Sequence, residues 1–201
     1  MQVFKIYPQG FAANSYFLTQ DEKTAVVIDP AQPRIADEAK RRGLTVTHVL
    51  LTHGHFDHIG GCAALQAEGA KVGCLAKEAP LALGKNNMAD YFGGHVPPFS
   101  VDFTFGDRDI LSLDGMQFLV IATPGHTAGG ACFCVGDHLF TGDTLFAGDI
   151  GRSDLPTGSG AQLTESVRKL YAIQGDFTVC PGHGEDTTLE YERHNNGWVR
   201  C

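Results

Sequence analysis

The sequence is short of positive charge and has no long apolar run. Only 15 lysine and arginine residues stand against 23 aspartate and glutamate residues, so the formal net charge is −8. A surface that follows nucleic-acid phosphates would have to form against this negative field, and we expect no nucleic-acid partner. No run approaches the roughly 20 apolar residues that span a bilayer, and residues 1–5 lack the pattern of a signal peptide. We therefore expect a cytoplasmic protein with no membrane partner.

Cys-x-x-Cys pairs, the usual signature of redox and zinc motifs, are also absent. In a reducing compartment, scattered cysteines are expected to be free thiols. Cys132 and Cys134 alternate within an apolar run, which predicts two small core residues on one face of a strand. The six cysteines are Cys62, Cys74, Cys132, Cys134, Cys180 and Cys201.

The length and the hydrophobic content favour one globular domain spanning residues 1–201, because a chain of this size buries about 70% of its unfolded surface. Strands alternate with helices in both halves, which predicts two layers of sheet and helix packed face to face. Residues 84–100 and 147–160 are predicted loops. Strands are predicted near residues 3–7, 15–19, 25–28, 46–52, 71–75, 109–113, 116–122, 131–135, 138–141 and 177–180, and helices near 33–42, 59–68 and 161–173.

The most informative segment follows a predicted apolar strand. Residues 53–58 read His-Gly-His-Phe-Asp-His, a pattern expected by chance about once in a thousand such chains. Side chains at positions i and i+2 of an extended segment face the same way, so His53 and His55 can bind one ion. Asp57 and His58 then point toward a second position.

Three further candidate ligands each lie just past a predicted strand. His126 follows the strand at 116–122, Asp143 follows the strand at 138–141, and His183 follows the strand at 177–180. Strand ends that meet at one edge of a sheet gather distant side chains into one cleft. The predicted metal ligands are His53, His55, Asp57, His58, His126, Asp143 and His183.

The residue types indicate the metal and its number. Imidazole and carboxylate ligands suit zinc above all, with iron or manganese as alternatives, and seven ligands are too many for one four-coordinate structural site. We therefore predict two divalent cations. A carboxylate such as Asp143 can bridge both ions, and a shared water would have its pKa lowered from 15.7 to about 7.

With these motifs in order across residues 53–183, the chain resembles the metallo-β-lactamase-fold hydrolases. The resemblance implies an α+β fold, a four-layer αββα sandwich of two mixed sheets with outer helices. It also implies that His53, His55 and His126 bind the first metal, that Asp57, His58 and His183 bind the second, and that Asp143 is shared. In many such relatives the residue equivalent to Asp57 positions the nucleophile, so Asp57 is the predicted catalytic residue.

Residues 150–156, Ile-Gly-Arg-Ser-Asp-Leu-Pro, together with Thr187-Thr188 and Glu192-Arg193, are similar to the short glyoxalase II-like branch, the relatives of hydroxyacylglutathione hydrolase. That branch implies hydrolysis of a small thioester such as S-lactoylglutathione by a metal-bridging hydroxide. Full-length glyoxalase II enzymes carry a further C-terminal helical domain that binds glutathione, and we expect none in this chain. The sequence also departs from the branch at Ala128 and Asn196, where proline is usual.

A second function remains open. Persulfide dioxygenases share the fold and hold a single iron on two histidines and an aspartate, which here would be His53, His126 and Asp143. A non-catalytic metal-binding or interaction protein is a third possibility.

Several residues near the motifs have two interpretations. Arg152 and Asp154 are predicted to orient metal ligands, with substrate contact as the alternative. Asp29 is interpreted as part of an ordinary Asp-Pro turn, although it could approach the metals. Aromatic residues of the 84–100 segment could line the substrate or anchor the loop. The segment contains Tyr91, Phe92, His95 and Phe99, and no metal role is assigned to His48, His95, His138 or His194.

Overall fold

A computed structural model describes residues 1–200, which form two six-stranded sheets, a small hairpin and seven α-helices. The strands are β1 (Gln2–Ile6), β2 (Ser15–Thr19), β3 (Thr24–Ile28), β4 (Thr45–Leu50), β5 (Lys71–Leu75), β6 (Phe103–Phe105), β7 (Ile110–Leu113), β8 (Met116–Ala122), β9 (Ala131–Val135), β10 (His138–Gly142), β11 (Leu145–Phe146), β12 (Asp149–Ile150), β13 (Thr178–Pro181) and β14 (Thr187–Thr188). The helices are α1 (Arg34–Arg41), α2 (Phe56–Ile59), α3 (Cys62–Ala67), α4 (Ala79–Ala82), α5 (Ala89–Phe92), α6 (Gly160–Tyr171) and α7 (Leu189–Asn195).

Both large sheets are mixed, as predicted. The first has the order β1-β2-β3-β4-β5-β6 and is antiparallel up to β3 and parallel from β3 onward. The second has the order β14-β13-β10-β9-β8-β7, in which only β10 and β13 pair in parallel. Since β8 and β10 are both antiparallel to β9, the strands β8, β10 and β13 end at the same edge of this sheet.

The two sheets face each other across a central apolar core, and each outer face is covered by helices. Alternation along β2 shows how the sequence achieves this: Tyr16 and Leu18 point into the central core, whereas Phe17 points to the layer that contains α1 and α3. On the other side, Val167 and Leu170 of α6 pack against the outer face of the second sheet. Three apolar layers separated by two sheets confirm the predicted αββα sandwich.

Some element boundaries differ from the prediction. The helix predicted at 59–68 is shorter, α3 at Cys62–Ala67, and Ile59 belongs to the separate turn α2. The amide of Gly61 donates to the carbonyl oxygen of Pro30 at 2.6 Å and so leaves the helical hydrogen-bond pattern between them. The predicted loop at 84–100 contains a 3₁₀ turn (Lys85–Asn87) and the single helical turn α5. The hairpin β11–β12 extends into the predicted 147–160 loop, and β14 and α7 fall in a segment for which no element was predicted.

The five cysteines among residues 1–200 are free thiols, as predicted, and four of them are buried. The predicted free thiol of Cys201 lies outside the described residues. Cys132 and Cys134 of β9 both pack against the outer core of the second sheet, so they share one strand face as expected. No helix within residues 1–200 has the length and apolar character needed to cross a membrane.

Candidate metal centre

Four strand ends bring the seven predicted ligands together at one edge of the sandwich. The loop after β4 carries His53 and His55, and α2, which begins immediately after His55, carries Asp57 and His58. The other three residues follow strands of the second sheet. His126 lies beyond β8, Asp143 lies directly after β10, and His183 lies two residues after β13.

Three histidines form the first group, and all of them are buried. Ligand atoms of His53, His55 and His126 lie within 4.8 Å of one another. Nδ1 of His55 is 2.9 Å from Nε2 of His126, and the ring of His53 lies edge-on to both other rings at centroid distances of 4.8 and 4.7 Å. Three imidazole nitrogens that converge in this way match the ligand set of a three-histidine metal site.

A second group lies beside the first and is more open to solvent. Asp57, His58 and His183 place ligand atoms within 4.8 Å of one another. Nε2 of His183 is 3.3 Å from Oδ2 of Asp57. His58 is completely buried, whereas the side chains of Asp57 and His183 are 18% and 36% exposed. The accessible side of the cluster is therefore the side of Asp57 and His183.

The carboxylate of Asp143 lies between the two groups. Its Oδ1 is 3.3 Å from Nε2 of His58, and its Oδ2 is 3.5 Å from Nε2 of His126 and 3.7 Å from Nε2 of His183. A Cβ on Gly182 would lie 2.3 Å from Oδ1 of Asp143, so this close approach requires glycine. Each carboxylate oxygen thus faces a different histidine environment, which is the placement that a bridging ligand needs.

Hydrogen bonds from outside the cluster orient two of the histidines. Nδ1 of His58 lies 2.8 Å from Oδ2 of Asp29, and Nδ1 of His126 donates to the carbonyl oxygen of Arg152 at 2.8 Å. Since a carbonyl only accepts, Nδ1 of His126 carries the proton and Nε2 presents its lone pair to the cluster. Asp29 also accepts hydrogen bonds from the amide and hydroxyl of Thr52 at 2.8 and 2.6 Å, so both of its oxygens have donors.

The interpretation of Asp29 as only a turn residue was wrong. Asp29 does end β3 with a positive φ of 50°, as a turn residue would, but it is 2% exposed and contacts His58. The side chain of Arg152 behaves differently. It forms a fork with Asp154, at 2.7 and 2.8 Å, that is largely exposed, and Arg152 contacts a candidate ligand through its main-chain carbonyl.

A buried carboxylate that the sequence analysis did not select ties two ligand loops together. Glu78, 1% exposed, accepts hydrogen bonds from the amide of Gly54 at 2.9 Å and from the hydroxyl of Thr127 at 3.0 Å. Gly54 lies between the first two histidines of the motif, and Thr127 follows His126. Burial raises the pKa of Glu78, and the bonds from Gly54 and Thr127 oppose that shift. Nothing in the sequence around Glu78, at the start of a short helix, distinguishes it from an exposed residue.

Burial and charge set the protonation states of the predicted ligands. Burial lowers the pKa of His53 well below its usual range and that of His55 to about 3, so both imidazoles are neutral. Burial opposes ionisation of Asp143, but the adjacent His58 outweighs it and holds the pKa of this carboxyl well below its ordinary value. For His58, burial opposes protonation, but Asp143 and Asp29 raise its pKa well above the usual value. This histidine therefore lies where negative charge attracts a proton or a cation.

The polar atoms that lack partners test whether a metal fits the cluster. Within residues 1–200, four buried atoms of the predicted ligands have no hydrogen-bond partner, namely Nε2 of His53, His55 and His58 and Oδ1 of Asp143. Leaving buried polar atoms unpaired costs about 1–3 kcal/mol each. Cations bound by this cluster, in place of the proton that His58 attracts, would remove part of this cost, so the donor set fits metal binding.

The accessible side of the cluster opens into a pocket of about 660 Å³. Phe11, Phe56 and Phe92 contribute aromatic rings to its wall, and Arg152 and Leu155 lie among its other lining residues. Of the aromatic candidates in the 84–100 segment, only Phe92 lines this pocket. Phe99 packs against the outer core of the first sheet, which makes it an anchor, while Tyr91 and His95 are exposed.

Comparisons with known proteins agree with this architecture. The sequence profile of the metallo-beta-lactamase superfamily matches residues 8–183, which include all seven predicted ligands. Hydroxyacylglutathione hydrolase GloC of Haemophilus influenzae is 35% identical over 199 residues, a match that covers 94% of each chain.

Two solved structures are similar over nearly the whole chain. The B3 metallo-beta-lactamase BLEG-1 has a TM-score of 0.90 at 30% identity, with both chains covered completely. TTHA1623, solved in a di-iron-bound form, has a TM-score of 0.87 at 32% identity, with 98% of this chain and 100% of that chain covered. Fold, ligand order and sequence similarity together show that the chain belongs to the metallo-β-lactamase superfamily, in its glyoxalase II-like branch.

Proposed function

We propose that this protein is a binuclear metal-dependent hydrolase of thioesters, with S-acylglutathiones such as S-lactoylglutathione as the first substrates to test. The observation that carries the proposal is the set of unpaired buried donor atoms, three histidine nitrogens and one carboxylate oxygen, in a cluster of seven predicted ligands of which five line a large open pocket. The similarity to GloC supports the choice of thioesters, and the di-iron form of TTHA1623 supports a pair of metals.

In this proposal, His53, His55 and His126 hold the first divalent cation, Asp57, His58 and His183 hold the second, and Asp143 contacts both. Zinc fits the nitrogen-rich donor set best, and iron and manganese fit it as well. When bound, the cations would lower the pKa of the water they share and polarise the substrate carbonyl.

The residues of the chain then divide the remaining work. Asp57 is the more accessible of the two carboxylates in the cluster. It would accept a hydrogen bond from the attacking water and fix the direction of attack. Burial opposes ionisation of Asp57, but His183 and His58 keep its pKa below the ordinary value, so it is a carboxylate that can accept. The pKa of a thiol is near 8.5, so the thiolate is a good leaving group and departs without protonation by a strong acid.

The direct test measures S-lactoylglutathione hydrolysis by the purified protein alongside its metal content. We expect about two metal equivalents per chain and hydrolysis that is lost in Asp57→Ala and His126→Ala variants that remain folded. His194→Ala is the matched control, since His194 is not a predicted ligand and its side chain is 69% exposed. Its metal content and activity should equal those of the unmodified protein.

Other results would contradict the proposal in identifiable ways. One iron per chain, with oxygen uptake on glutathione persulfide and no thioester hydrolysis, would favour the persulfide dioxygenase alternative. Hydrolysis of a β-lactam without hydrolysis of thioesters would indicate an activity like that in the name of BLEG-1. If the Asp57→Asn variant binds metal and keeps full turnover, the carboxylate of Asp57 has no catalytic role.

A further inference from the structure

His183 is the most exposed of the seven predicted ligands, with a side chain that is 36% exposed. It also lies between two glycines, Gly182 and Gly184, and Gly184 has a φ of 78°. Glycine gives the backbone more conformational freedom than any other residue. The position of His183 therefore depends on contacts that hold this loop from outside.

Asn14 supplies such contacts from the other sheet. Its main-chain amide donates to the carbonyl oxygen of Gly182 at 2.7 Å, and its side-chain NH₂ group donates to the carbonyl oxygens of Pro181 and Gly184, both at 3.0 Å. Asn14 directly precedes β2 of the first sheet, whereas Pro181 ends β13 of the second. One residue thus binds carbonyl oxygens on both sides of His183 across the two sheets.

The neighbours of Asn14 extend this contact. The hydroxyl of Tyr16 donates to the carbonyl oxygen of Pro181 at 2.8 Å, and the amide of Ala13 donates to the carbonyl oxygen of Asp57 at 2.9 Å. Asn14 and Tyr16 are 1% and 2% exposed, and buried side chains whose donors are all in use are rigid. Residues 13–16 therefore connect the backbones of Asp57 and of the loop that carries His183.

We propose that Asn14, supported by Tyr16, is a positioning residue that fixes His183 opposite Asp57 and so sets the affinity of the second metal position. The inference rests on the binuclear site of the proposed function, although not on its substrate. The hydrogen bonds from Asn14 to this loop all end on main-chain oxygens, so Asn14 acts through the backbone and not as a ligand. Loss of contacts that orient a metal ligand typically lowers metal affinity about 10–100-fold.

Asn14→Leu tests the role of the side chain, because leucine has nearly the shape of asparagine and no donor. We expect the affinity for one of the two metal equivalents to fall about tenfold or more in a competition titration with a chromophoric chelator. The visible absorption spectrum of the cobalt-substituted protein should change as well. If Asn14 acts through His183, the same substitution in a His183→Ala protein should cause no further loss of affinity.

Asn196→Leu is the matched control. Asn196 is 5% exposed and donates to the carbonyl oxygen of Asp149 and to the carboxylate of Glu192, and neither acceptor is next to a predicted ligand. This variant should bind both metal equivalents as the unmodified protein does. Unchanged affinity in Asn14→Leu, or an equal loss in Asn14→Leu and Asn196→Leu, would overturn the inference. A further loss in the His183→Ala background would also overturn it.

Tyr16→Phe provides a second and milder variant. It removes only the hydroxyl that donates to the carbonyl oxygen of Pro181, and it should lower the affinity for the same metal equivalent several-fold. If Asn14→Leu does not fold, this variant decides the question, and unchanged metal affinity in folded Tyr16→Phe overturns the inference.

Hydrogen exchange in the metal-free protein separates this inference from the proposed function. Peptides that contain residues 181–186 should exchange several-fold faster in Asn14→Leu than in the unmodified protein, and Asn196→Leu should leave their exchange unchanged. If the unmodified protein binds a single metal but this difference is found, the binuclear site fails and the role of Asn14 in holding the His183 loop stands. Equal exchange of this segment in Asn14→Leu and the unmodified protein would overturn that role.

Discussion

Glu78 offers a sharp test of how the metal centre is held together, because it contacts no predicted ligand side chain. Its carboxylate accepts from Gly54 in the first ligand loop and from Thr127 in the loop of His126. The two loops come from different sheets, so this side chain links one ligand loop to the other. A Glu78→Gln variant keeps the size of the side chain but replaces one acceptor oxygen by an NH₂ group that faces a donor.

The size of the effect can be worked from these contacts. One buried donor left without an acceptor costs about 1–3 kcal/mol of unfolding free energy. Loss of an outer hydrogen bond that orients a metal ligand typically lowers metal affinity about 10–100-fold. We therefore expect Glu78→Gln to lower both stability and the affinity of the site formed by His53, His55 and His126.

A matched control separates the two effects. Glu192 is also fully buried, and it accepts hydrogen bonds from the amide of Gly148, the hydroxyl of Thr187 and the side chain of Asn196. None of these donors is next to a predicted ligand. Glu192→Gln should therefore lose comparable stability without a comparable loss of metal affinity.

The assay is a competition titration with a chromophoric chelator, supported by the visible absorption spectrum of the cobalt-substituted protein. Denaturant unfolding of the metal-free proteins measures stability separately. If Glu78→Gln and Glu192→Gln lose stability equally and bind both metal equivalents equally tightly, Glu78 has only a structural role and the reasoning is refuted. A changed cobalt spectrum in Glu78→Gln alone would support a role in ligand positioning.

Four further outcomes are expected. Asp29→Ala removes the acceptor of His58 and should lower the affinity for one of the two metal equivalents about 10–100-fold, which the same titration measures. Gly182→Ala would place its Cβ 2.3 Å from a carboxylate oxygen of the cluster and should lose metal, whereas Gly197→Ala, with nothing within 4 Å, should retain the full content in elemental analysis. Removal of both metals by a chelator should lower the melting temperature by about 10–20 °C, if the free metal concentration was a hundred times the Kd of each site. An unchanged melting temperature would contradict metal binding to the folded protein. Burial raises the pKa of Cys132 to about 11, so about one thiol in a thousand is ionised at pH 8, and mass spectrometry should find this residue alkylated only after unfolding.

The sequence alone indicated most of the strands, since alternating apolar residues reflect burial on a sheet face. The strands at 15–19 and 71–75 have the predicted boundaries. Prediction was weaker where an element ends for a tertiary reason. The break between α2 and α3 is an example, since the amide of Gly61 donates to the carbonyl oxygen of Pro30, a residue distant in sequence.

What the sequence determined about the site is the set of candidate ligands and the edge of the sheets at which they meet. Local rules suffice for that: the spacing of His53, His55 and Asp57 and the position of each remaining ligand just after a strand. Tertiary structure alone decided which side chains support them. Asp29 and Glu78 are carboxylates whose donors come from other segments of the chain. An isolated carboxylate looks the same in the sequence whether it is solvated or buried. The pairing of β3 with β4 in the first sheet brings Asp29 to His58, and the packing of the two sheets brings Glu78 to both ligand loops.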